Sequence, residues 1–382
     1  MKAIINGNIV TMAGKTYPCG QILIEGTRIK AVGEGLVLPP GCDVIDAQGR
    51  LVLPGFIDAH SHIGMWEEAI DFQGADGNET TDPITPELRG LDGVYPLDPP
   101  FRDAARGGVT TAATGPGSTN VIGGQFAAMK THGTCADKMV VKAPIAMKAA
   151  LGENPKTYYN QRNQMPITRM GIAGLLRGTL LATADYMRRQ EAAGGDLLKM
   201  PALNLKYEAM IPVVRGELPL KVHAHRSDDI LTAIRIAKEF HLKITLDHCT
   251  EGHLIVEEIK ESGFPVIVGP SFGFKTKPEL KNKSLSTAGI LAQAGIPVAI
   301  MTDHPVHNQC DLPLFAAMAV KEGMTREQAL KAITITPAEI LGIQDRVGSL
   351  EAEKDADIVI WDTDPFSVDY RTYCTLVSGQ MV

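Results

Sequence analysis

Short runs of alternating hydrophobic and polar residues occupy both ends of the chain. Residues 1–50 contain KAIING, NIVTM and QILIEGTRIKAVG, separated by turn residues, and residues 346–382 contain VGSLEAEKDADIVIWDTDP and CTLVSGQMV. Alternation with a period of two is typical of strands that have one buried face. The pattern therefore predicts one small β-sandwich domain, assembled from residues 1–50 and residues 346–382.

The middle of the chain has a different pattern, in which short apolar runs alternate with segments of helical period. Runs such as LPLKVHAH, KITLDHC and IPVAIMTDHP lie near helical segments such as SDDILTAIRIAKEFH and GHLIVEEIKESG. Alternating strands and helices favour a parallel sheet. Eight candidate strands in residues 51–345 predict an α/β fold, a (β/α)₈ TIM barrel. An open doubly wound sheet is the alternative that strand counting leaves open.

Composition narrows the class of protein and of partner. Hydrophobic residues make up 44% of the chain and charged residues 21%, as in ordinary soluble globular proteins. The net charge of -7 gives no electrostatic reason to expect nucleic acid or an anionic membrane as a partner. The six cysteines are scattered without a CxxC pair, and we find no signal peptide or membrane-length apolar segment. We expect a cytoplasmic protein that acts on a small molecule, and leave a homo-oligomer open.

Metal-binding residue types end four of the apolar runs in the middle of the chain. Side chains at i and i+2 of a strand share a face, and active sites of TIM barrels lie at the carboxyl ends of the strands. One histidine at a strand end is more often structural than ligating, but four such ends favour a metal site. Imidazole and carboxylate groups suit zinc, iron or manganese. The residues concerned are His60, His62, His223, His225, His248 and Asp303.

These residues carry a family resemblance. The segment LVLPGFIDAHSHIG resembles the first metal-binding strand of the amidohydrolase superfamily, whose signature is HxH followed by His, His and Asp on later strands. VIDAQGRLVLPGFIDAHSH and GSLEAEKDADIVIWDTDP resemble the split β-sandwich of the branch that contains imidazolonepropionase, dihydroorotase-like enzymes and metal-dependent dipeptidases. The resemblance implies a distorted (β/α)₈ barrel plus that sandwich, with the metal ligands His60, His62, His223, His248 and Asp303.

A lysine is the sixth ligand that the resemblance implies. Binuclear members of the superfamily carry a carbamylated lysine on strand four that bridges two metal ions. The segment APIAMKAALGENPK places Lys148 in the corresponding interval, and burial of an unpaired ammonium there would be costly. The structural alternative is that Lys148 snorkels or pairs with a carboxylate such as Glu153, and Lys142 and Lys206 are rival candidates. We therefore expect a divalent metal, zinc above all, as one ion or as two if Lys148 is carbamylated.

The implied activity is hydrolysis of a C–N bond, in an amide, a lactam or a dipeptide-like compound, by metal-activated hydroxide. We expect Asp303 to shuttle the proton and His225 to stabilise the oxyanion, while Asp58 orients an imidazole. Arg226 stands where deaminase-type members tend to have glutamate, which counts against deamination. It is either a substrate-carboxylate ligand or a surface arginine. A deaminase of a small heterocycle and a non-catalytic scaffold are the alternatives, although scaffold relatives usually lose ligands.

Overall fold

Two eight-stranded sheets organise the chain, and the computed structural model describes residues 1–382. The first sheet contains β1–β5 and β14–β16, and the second contains β6–β13. In chain order the strands are β1 (Lys2–Val10), β2 (Thr16–Glu25), β3 (Arg28–Gly33), β4 (Asp43–Asp46), β5 (Leu51–Pro54), β6 (Phe56–Ser61), β7 (Val109–Thr114), β8 (Ile122–Lys130), β9 (Val140–Ala150), β10 (Leu220–Ala224), β11 (Ile244–His248), β12 (Val266–Val268), β13 (Val298–Ile300), β14 (Ile358–Trp361), β15 (Thr372–Val377) and β16 (Gln380–Met381).

The first sheet joins the two ends of the chain. Its order is β16-β15-β14-β5-β1-β2-β3, with β4 also paired to β1, so the central pairing of β14 with β5 connects distant parts of the sequence. Thirteen buried residues of these strands and nearby loops form a separate apolar core, which includes Ile4, Ile22 and Ile358. A sheet built from both termini was the expectation from the alternating runs.

One glycine separates the two sheets. Leu51–Pro54 pairs with β1 and β14, whereas Phe56–Ser61 pairs with β7. A Cβ at Gly55, between them, would lie 2.0 Å from Thr110 Oγ1, so this close approach admits only glycine. The barrel strand therefore begins at Phe56, later than the predicted boundary at residue 51, and the division into two domains stays a prediction.

The second sheet is a nearly closed barrel. Its order is β13-β12-β11-β10-β9-β8-β7-β6. The backbone N–H of Asp303 donates to His60 O at 3.3 Å, and that of His62 donates to His304 O at 2.8 Å. These bonds lie at the end of β6 and just beyond the end of β13, and they bring the first strand against the last. The predicted fold class is confirmed, and the open doubly wound alternative is excluded.

The strand β8 departs from the expected parallel order. It pairs antiparallel with both β7 and β9, while the other neighbouring pairs in the barrel are parallel. Parallel neighbours need a crossover connection of about a dozen residues or more. Residues 115–121 and 131–139 are too short for such connections, so the chain reverses direction at both.

The helices lie between and beyond the strands of the barrel. Residues 152–219 contain the predicted long helix, α4, which begins after the capping side chain of Thr168 and ends at Gly194 in the left-handed region. No helix combines the length and the apolar character that crossing a bilayer requires. In chain order they are α1 (Pro99–Arg106), α2 (Ala136–Met139), α3 (Glu153–Asn160), α4 (Arg169–Ala193), α5 (Leu205–Val214), α6 (Ser227–Phe240), α7 (Val256–Ser262), α8 (Thr287–Gln293), α9 (Leu312–Lys321), α10 (Arg326–Ala332) and α11 (Ile335–Leu341).

A buried ion-pair cluster fastens the barrel to the chain that leads into β14. Lys130 Nζ, at the end of β8, lies 2.9 Å from Asp355 Oδ2 and 2.6 Å from Asp357 Oδ2. Arg346 Nη2 lies 2.8 Å from the same Asp355 oxygen. Burial alone would raise the pKa of Asp355, but the hydrogen bond from Arg346 and the charge of Lys130 lower it overall. The carboxylate is therefore ionised and paired in the folded protein.

We expect Asp355→Asn to lower the free energy of unfolding by about 3 kcal/mol, because it leaves Lys130 buried with one fewer negative partner. The measurement is the urea midpoint at pH 7, with Glu327→Gln in the exposed Glu327–Lys331 pair as a control that should change less than about 0.5 kcal/mol.

The sign of the pH dependence follows from the lowered pKa of Asp355. The contribution of Asp355 to the free energy of unfolding is fully present above the unfolded-state pKa of about 3.9. It is lost as pH falls through the lower folded-state pKa. The difference between wild type and variant should therefore shrink in acid, and equal midpoints at pH 7 would contradict the assignment.

Candidate metal centre

Two groups of metal-ligand side chains face each other at the carboxyl ends of the barrel strands. Within each group the ligand atoms lie within 4.8 Å of one another. His248 and Asp303 have φ of 68° and 57°, a left-handed conformation that costs roughly 1–3 kcal/mol in residues other than glycine. Strain of this kind concentrates at functional sites. The groups are His60, His62 and Asp303, and His223, His225 and His248.

Each of the five imidazoles has its Nδ1 atom held by a neighbouring group. Hydrogen bonds of this kind fix the ring and direct its other nitrogen toward a metal. The five Nε2 atoms are therefore the ones available at the centre. The partners are Asp247 Oδ2 for His60 at 2.5 Å, Gly115 O for His62 at 2.7 Å, Ser118 Oγ for His223 at 2.9 Å, Thr250 Oγ1 for His225 at 2.7 Å and Gly269 O for His248 at 2.9 Å.

The electrostatics of the centre suit metal ligation. Burial, reinforced by neighbouring cationic groups, lowers the pKa of His60, His223, His225 and His248 well below the ordinary value. Burial would raise the pKa of Asp303, but neighbouring groups, His248 and His62 foremost, lower it overall. Neutral imidazole and ionised carboxylate are the forms that bind metal ions.

Lys148 is the one of the three candidate lysines that reaches the centre. It is fully buried on β9, and its Nζ lies 3.1 Å from His60 Nε2. Lys142 instead donates to Gly342 O at 3.1 Å, and Lys206 pairs with Asp82 at 2.6 Å. Burial lowers the pKa of Lys148 to about 7, although the charges of Asp247 and Asp303 oppose this shift.

The alternative partner of Lys148 lies elsewhere. The Glu153 carboxylate accepts a hydrogen bond from the backbone N–H of Glu279 at 3.2 Å and forms no ion pair with Lys148. Lys148 therefore lies beside His60, where the sequence analysis expects the lysine that becomes carbamylated.

Asp58 has a different role from the one expected. Its Oδ1 accepts from the backbone N–H of His60 at 3.2 Å, and its Oδ2 accepts from Thr302 Oγ1 at 2.5 Å. Asp58 thus connects β6 to the chain after β13 and contacts no imidazole. Burial raises its pKa to about 7 despite the hydrogen bond from Thr302. The carboxylate that orients an imidazole is that of Asp247.

Asp247 and Lys221 were missed by the sequence analysis. Lys221 Nζ is buried and lies 2.8 Å from Asp247 Oδ2, the oxygen that also contacts His60 Nδ1. Lys221 also donates to Ala59 O at 3.0 Å. The available signal was a charged residue inside each of two apolar strands, KVHAH and TLDHC, because such residues must be paired when buried.

The structure does not bring Arg226 to the other predicted site residues. Its guanidinium donates twice to the neighbouring Asp228 carboxylate, at 3.0 Å each, and its side chain is 41% exposed. A cavity of about 570 Å³ covers the centre instead, and its wall includes Lys283 and Lys277, the second of which is paired with Glu279 at 2.6 Å. The substrate role of Arg226 is therefore not favoured by the geometry.

Known proteins are similar to this chain in both fold and sequence. An amidohydrolase family profile matches residues 208–382, and a second profile of that description matches residues 43–89. The crystal structure of an amidohydrolase from Thermotoga maritima MSB8 is 39% identical, covers 100% of this chain and 99% of its own, and superimposes with a TM-score of 0.96. The chain belongs to the amidohydrolase family.

Two curated relatives extend this likeness. Amidohydrolase tasK of Hapsidospora irregularis is 30% identical over 93% of this chain, which spans only 39% of that protein. An imidazolonepropionase of Thermoplasma volcanium is 25% identical over 96% of this chain and 93% of its own length. The expectation of an amidohydrolase, an enzyme that hydrolyses carbon–nitrogen bonds other than ordinary peptide bonds, is confirmed. Members of this family are metal-dependent, and the two groups of His and Asp residues fit that requirement.

We expect Asp247→Asn to weaken metal binding by about tenfold or more, as is usual for partners of metal ligands. The variant loses the charge that holds His60 and leaves Lys221 buried beside a neutral amide. The measurement is the metal content after dialysis against graded chelator concentrations. Asp185→Asn, at the exposed pair with Arg189, is the control, and metal affinity equal to that of wild type would contradict the role of Asp247.

Proposed function

We propose that this amidohydrolase hydrolyses an amide, lactam or dipeptide-like C–N bond in a small substrate that carries a carboxylate. The observation that carries the proposal is the pair of ligand groups at the base of a cavity of about 570 Å³, a volume that suits a small molecule. The long segments 66–101 and 152–219 contribute Trp66, Asn78 and Asn154 to the cavity wall.

A lysine of the cavity wall supports the preference for an anionic substrate. Lys283 Nζ donates to Phe272 O at 3.0 Å and to Phe274 O at 2.9 Å. Carbonyl oxygens neutralise no charge, and an ammonium has three donors. The remaining N–H and the unpaired charge are therefore available to a substrate carboxylate, one of the two roles that sequence analysis left open for Arg226.

We propose that His60, His62 and Asp303 hold one divalent ion, with zinc as the first candidate, and that His223, His248 and carbamylated Lys148 serve a second. Carbamylation replaces an ammonium, whose burial is costly, by an anionic ligand. A divalent metal, when bound, makes hydroxide available near neutral pH and polarises a carbonyl group.

Asp303 is the residue that we propose moves the proton of the reaction. Its Oδ1 lies 3.3 Å from His62 Nε2 and 3.6 Å from His60 Nε2, and the side chain lines the cavity. The ionised carboxylate accepts a proton from the attacking water and donates it to the leaving nitrogen. Water and the C–N compound thereby give a carboxylic acid and an amine, or the ring-opened equivalent of a lactam.

The activity is tested with metal-loaded protein and a panel of N-acyl amino acids, dipeptides and cyclic ureides, each beside an analogue that lacks the carboxylate. We expect hydrolysis of at least one class and loss of kcat/KM for its uncharged analogue. No hydrolysis of any class would contradict the proposed reaction, whereas equal turnover of the analogues would contradict only the carboxylate preference.

We expect Asp303→Asn to retain at least one equivalent of metal but to lower kcat by about 10²-fold or more, because the amide cannot accept and return the proton. Metal content and turnover are measured together, with Asp228→Asn at the protein surface as the control. Activity close to that of wild type would overturn the role of Asp303.

Carbamylation of Lys148 has a direct spectroscopic test. Protein prepared with ¹³C-bicarbonate should show one carbamate carbon resonance that is absent from Lys148→Arg and present in Lys142→Arg. Arginine keeps a positive charge but forms no carbamate at this position. A resonance that persists in Lys148→Arg would contradict the assignment.

A further inference from the structure

A buried glutamate lies beside the second group of imidazoles. Glu279, in a short helical turn after β12, is 1% exposed. Its Oε1 lies 3.6 Å from His225 Nε2 and 3.9 Å from His223 Nε2. Neither Glu279 nor its turn carries a recognisable sequence signal, since TKPEL reads as an ordinary polar loop.

The spacing of Glu279 from its two nearest imidazoles is slightly wider than that of Asp303 in the first group. Asp303 Oδ1 lies 3.6 Å from His60 Nε2 and 3.3 Å from His62 Nε2. Four ligand atoms at about 2.0–2.1 Å around a tetrahedral zinc ion are roughly 3.3 Å apart. Asp303 Oδ1 therefore lies within about 0.3 Å of this spacing from both of its imidazoles, whereas Glu279 Oε1 exceeds it by about 0.3 Å at His225 and about 0.6 Å at His223.

The surroundings of Glu279 hold its Oε1 toward the imidazoles. Its Oε2 accepts from the backbone N–H of Glu153 at 3.0 Å, which sets the plane of the carboxylate. Lys277 Nζ lies 2.6 Å from Oε1 and also donates to Asn154 Oδ1 at 2.8 Å. These contacts fasten the turn at residues 277–279 to the chain after β9, so the carboxylate is positioned by the protein.

The Nε2 atom of His225 also points toward the position beside Glu279. The Nδ1 atoms of His223, His225 and His248 each have a hydrogen-bond partner, and the ligand atoms of the three residues converge within 4.8 Å. If His225 stabilised the oxyanion instead, only the imidazoles of His223 and His248 would remain for a metal ion at this position. The observed convergence makes three imidazoles, and the Glu279 carboxylate lies beside two of them, His223 and His225.

We propose that His225 and Glu279 are ligands of the second metal position, together with His223 and His248. The inference rests on the proposed metal dependence and goes beyond the ligand set implied by the sequence. It gives each position a carboxylate of its own, Asp303 at the first and Glu279 at the second. Carbamylated Lys148 would then connect two positions that already have protein ligands, and it would not be needed to complete either.

The test is metal binding to the apoprotein, measured by zinc titration with competing chelators and by elemental analysis. Wild type should bind two equivalents. Glu279→Gln and His225→Asn should each weaken the second equivalent by about tenfold or more and leave the first unchanged. Glu251→Gln is the matched control, because Glu251 is also buried but bonds Ser227 and Asn282 and contacts no imidazole.

Cobalt(II) substitution provides a second readout that does not depend on turnover. The visible absorption of the second cobalt equivalent should change in Glu279→Gln and His225→Asn and stay unchanged in Glu251→Gln. Glu279→Asp, which keeps the carboxylate, should recover part of the affinity. Circular dichroism identifies a variant that fails to fold. If Glu279→Gln does not fold, the result for His225→Asn decides whether the inference holds.

Two results would overturn the inference. One is a second equivalent bound with wild-type affinity and spectrum by the folded Glu279→Gln and His225→Asn variants. The other is a wild type that binds a single equivalent insensitive to both substitutions. Either leaves the proposed hydrolysis standing, whereas a wild type that binds no metal contradicts the proposed function itself.

Discussion

The contact between the first and last barrel strands is the constraint on which the centre depends. No continuous ladder joins β6 to β13. The seam is closed between the end of β6 and the chain after β13, by the backbone bonds between residues 60–62 and 303–304 and by the hydrogen bond from Thr302 to the Asp58 carboxylate. Because His60, His62 and Asp303 lie on either side of this seam, closing the barrel is the same event as assembling the first ligand group.

Charge is balanced along one buried chain of contacts beneath the centre. Lys221 pairs with Asp247, Asp247 holds His60, and His60 contacts Lys148. Each group depends on the next, since an unpaired buried charge costs several kcal/mol. The centre is therefore supported by the interior of the barrel, and the loops above it are free to differ in shape and charge.

The sequence predicted those parts of the centre that follow from strand periodicity. His60 and His62, and likewise His223 and His225, are spaced by two, so their common direction could be anticipated. Lys148 was proposed because the family resemblance implies a lysine ligand in that interval, and because a lysine inside an apolar strand requires an explanation. The α/β barrel and the sheet from both termini followed from the same alternation patterns.

The parts that escaped prediction depend on where distant segments meet. Asp247 reaches His60 across the barrel, and Glu279 reaches His225 from a loop, so neither relationship has a local period. The left-handed backbone at His248 interrupts the strand alternation that would otherwise indicate which side chains point inward. Arg226 stands near the centre in sequence, but its neighbour Asp228 satisfies it at the surface.

The sheet that joins both termini can be completed only after the end of the chain has been synthesised. Pro54 pairs with Ile358 and Leu51 with Trp361, so β5 leaves the ribosome long before its partner β14 exists. One edge of β5 stays unpaired while the whole barrel is translated, and unpaired strand edges are sites of aggregation. The nascent chain thus carries this exposed strand edge until its last strands are made, a feature that the stability of the finished protein does not reveal.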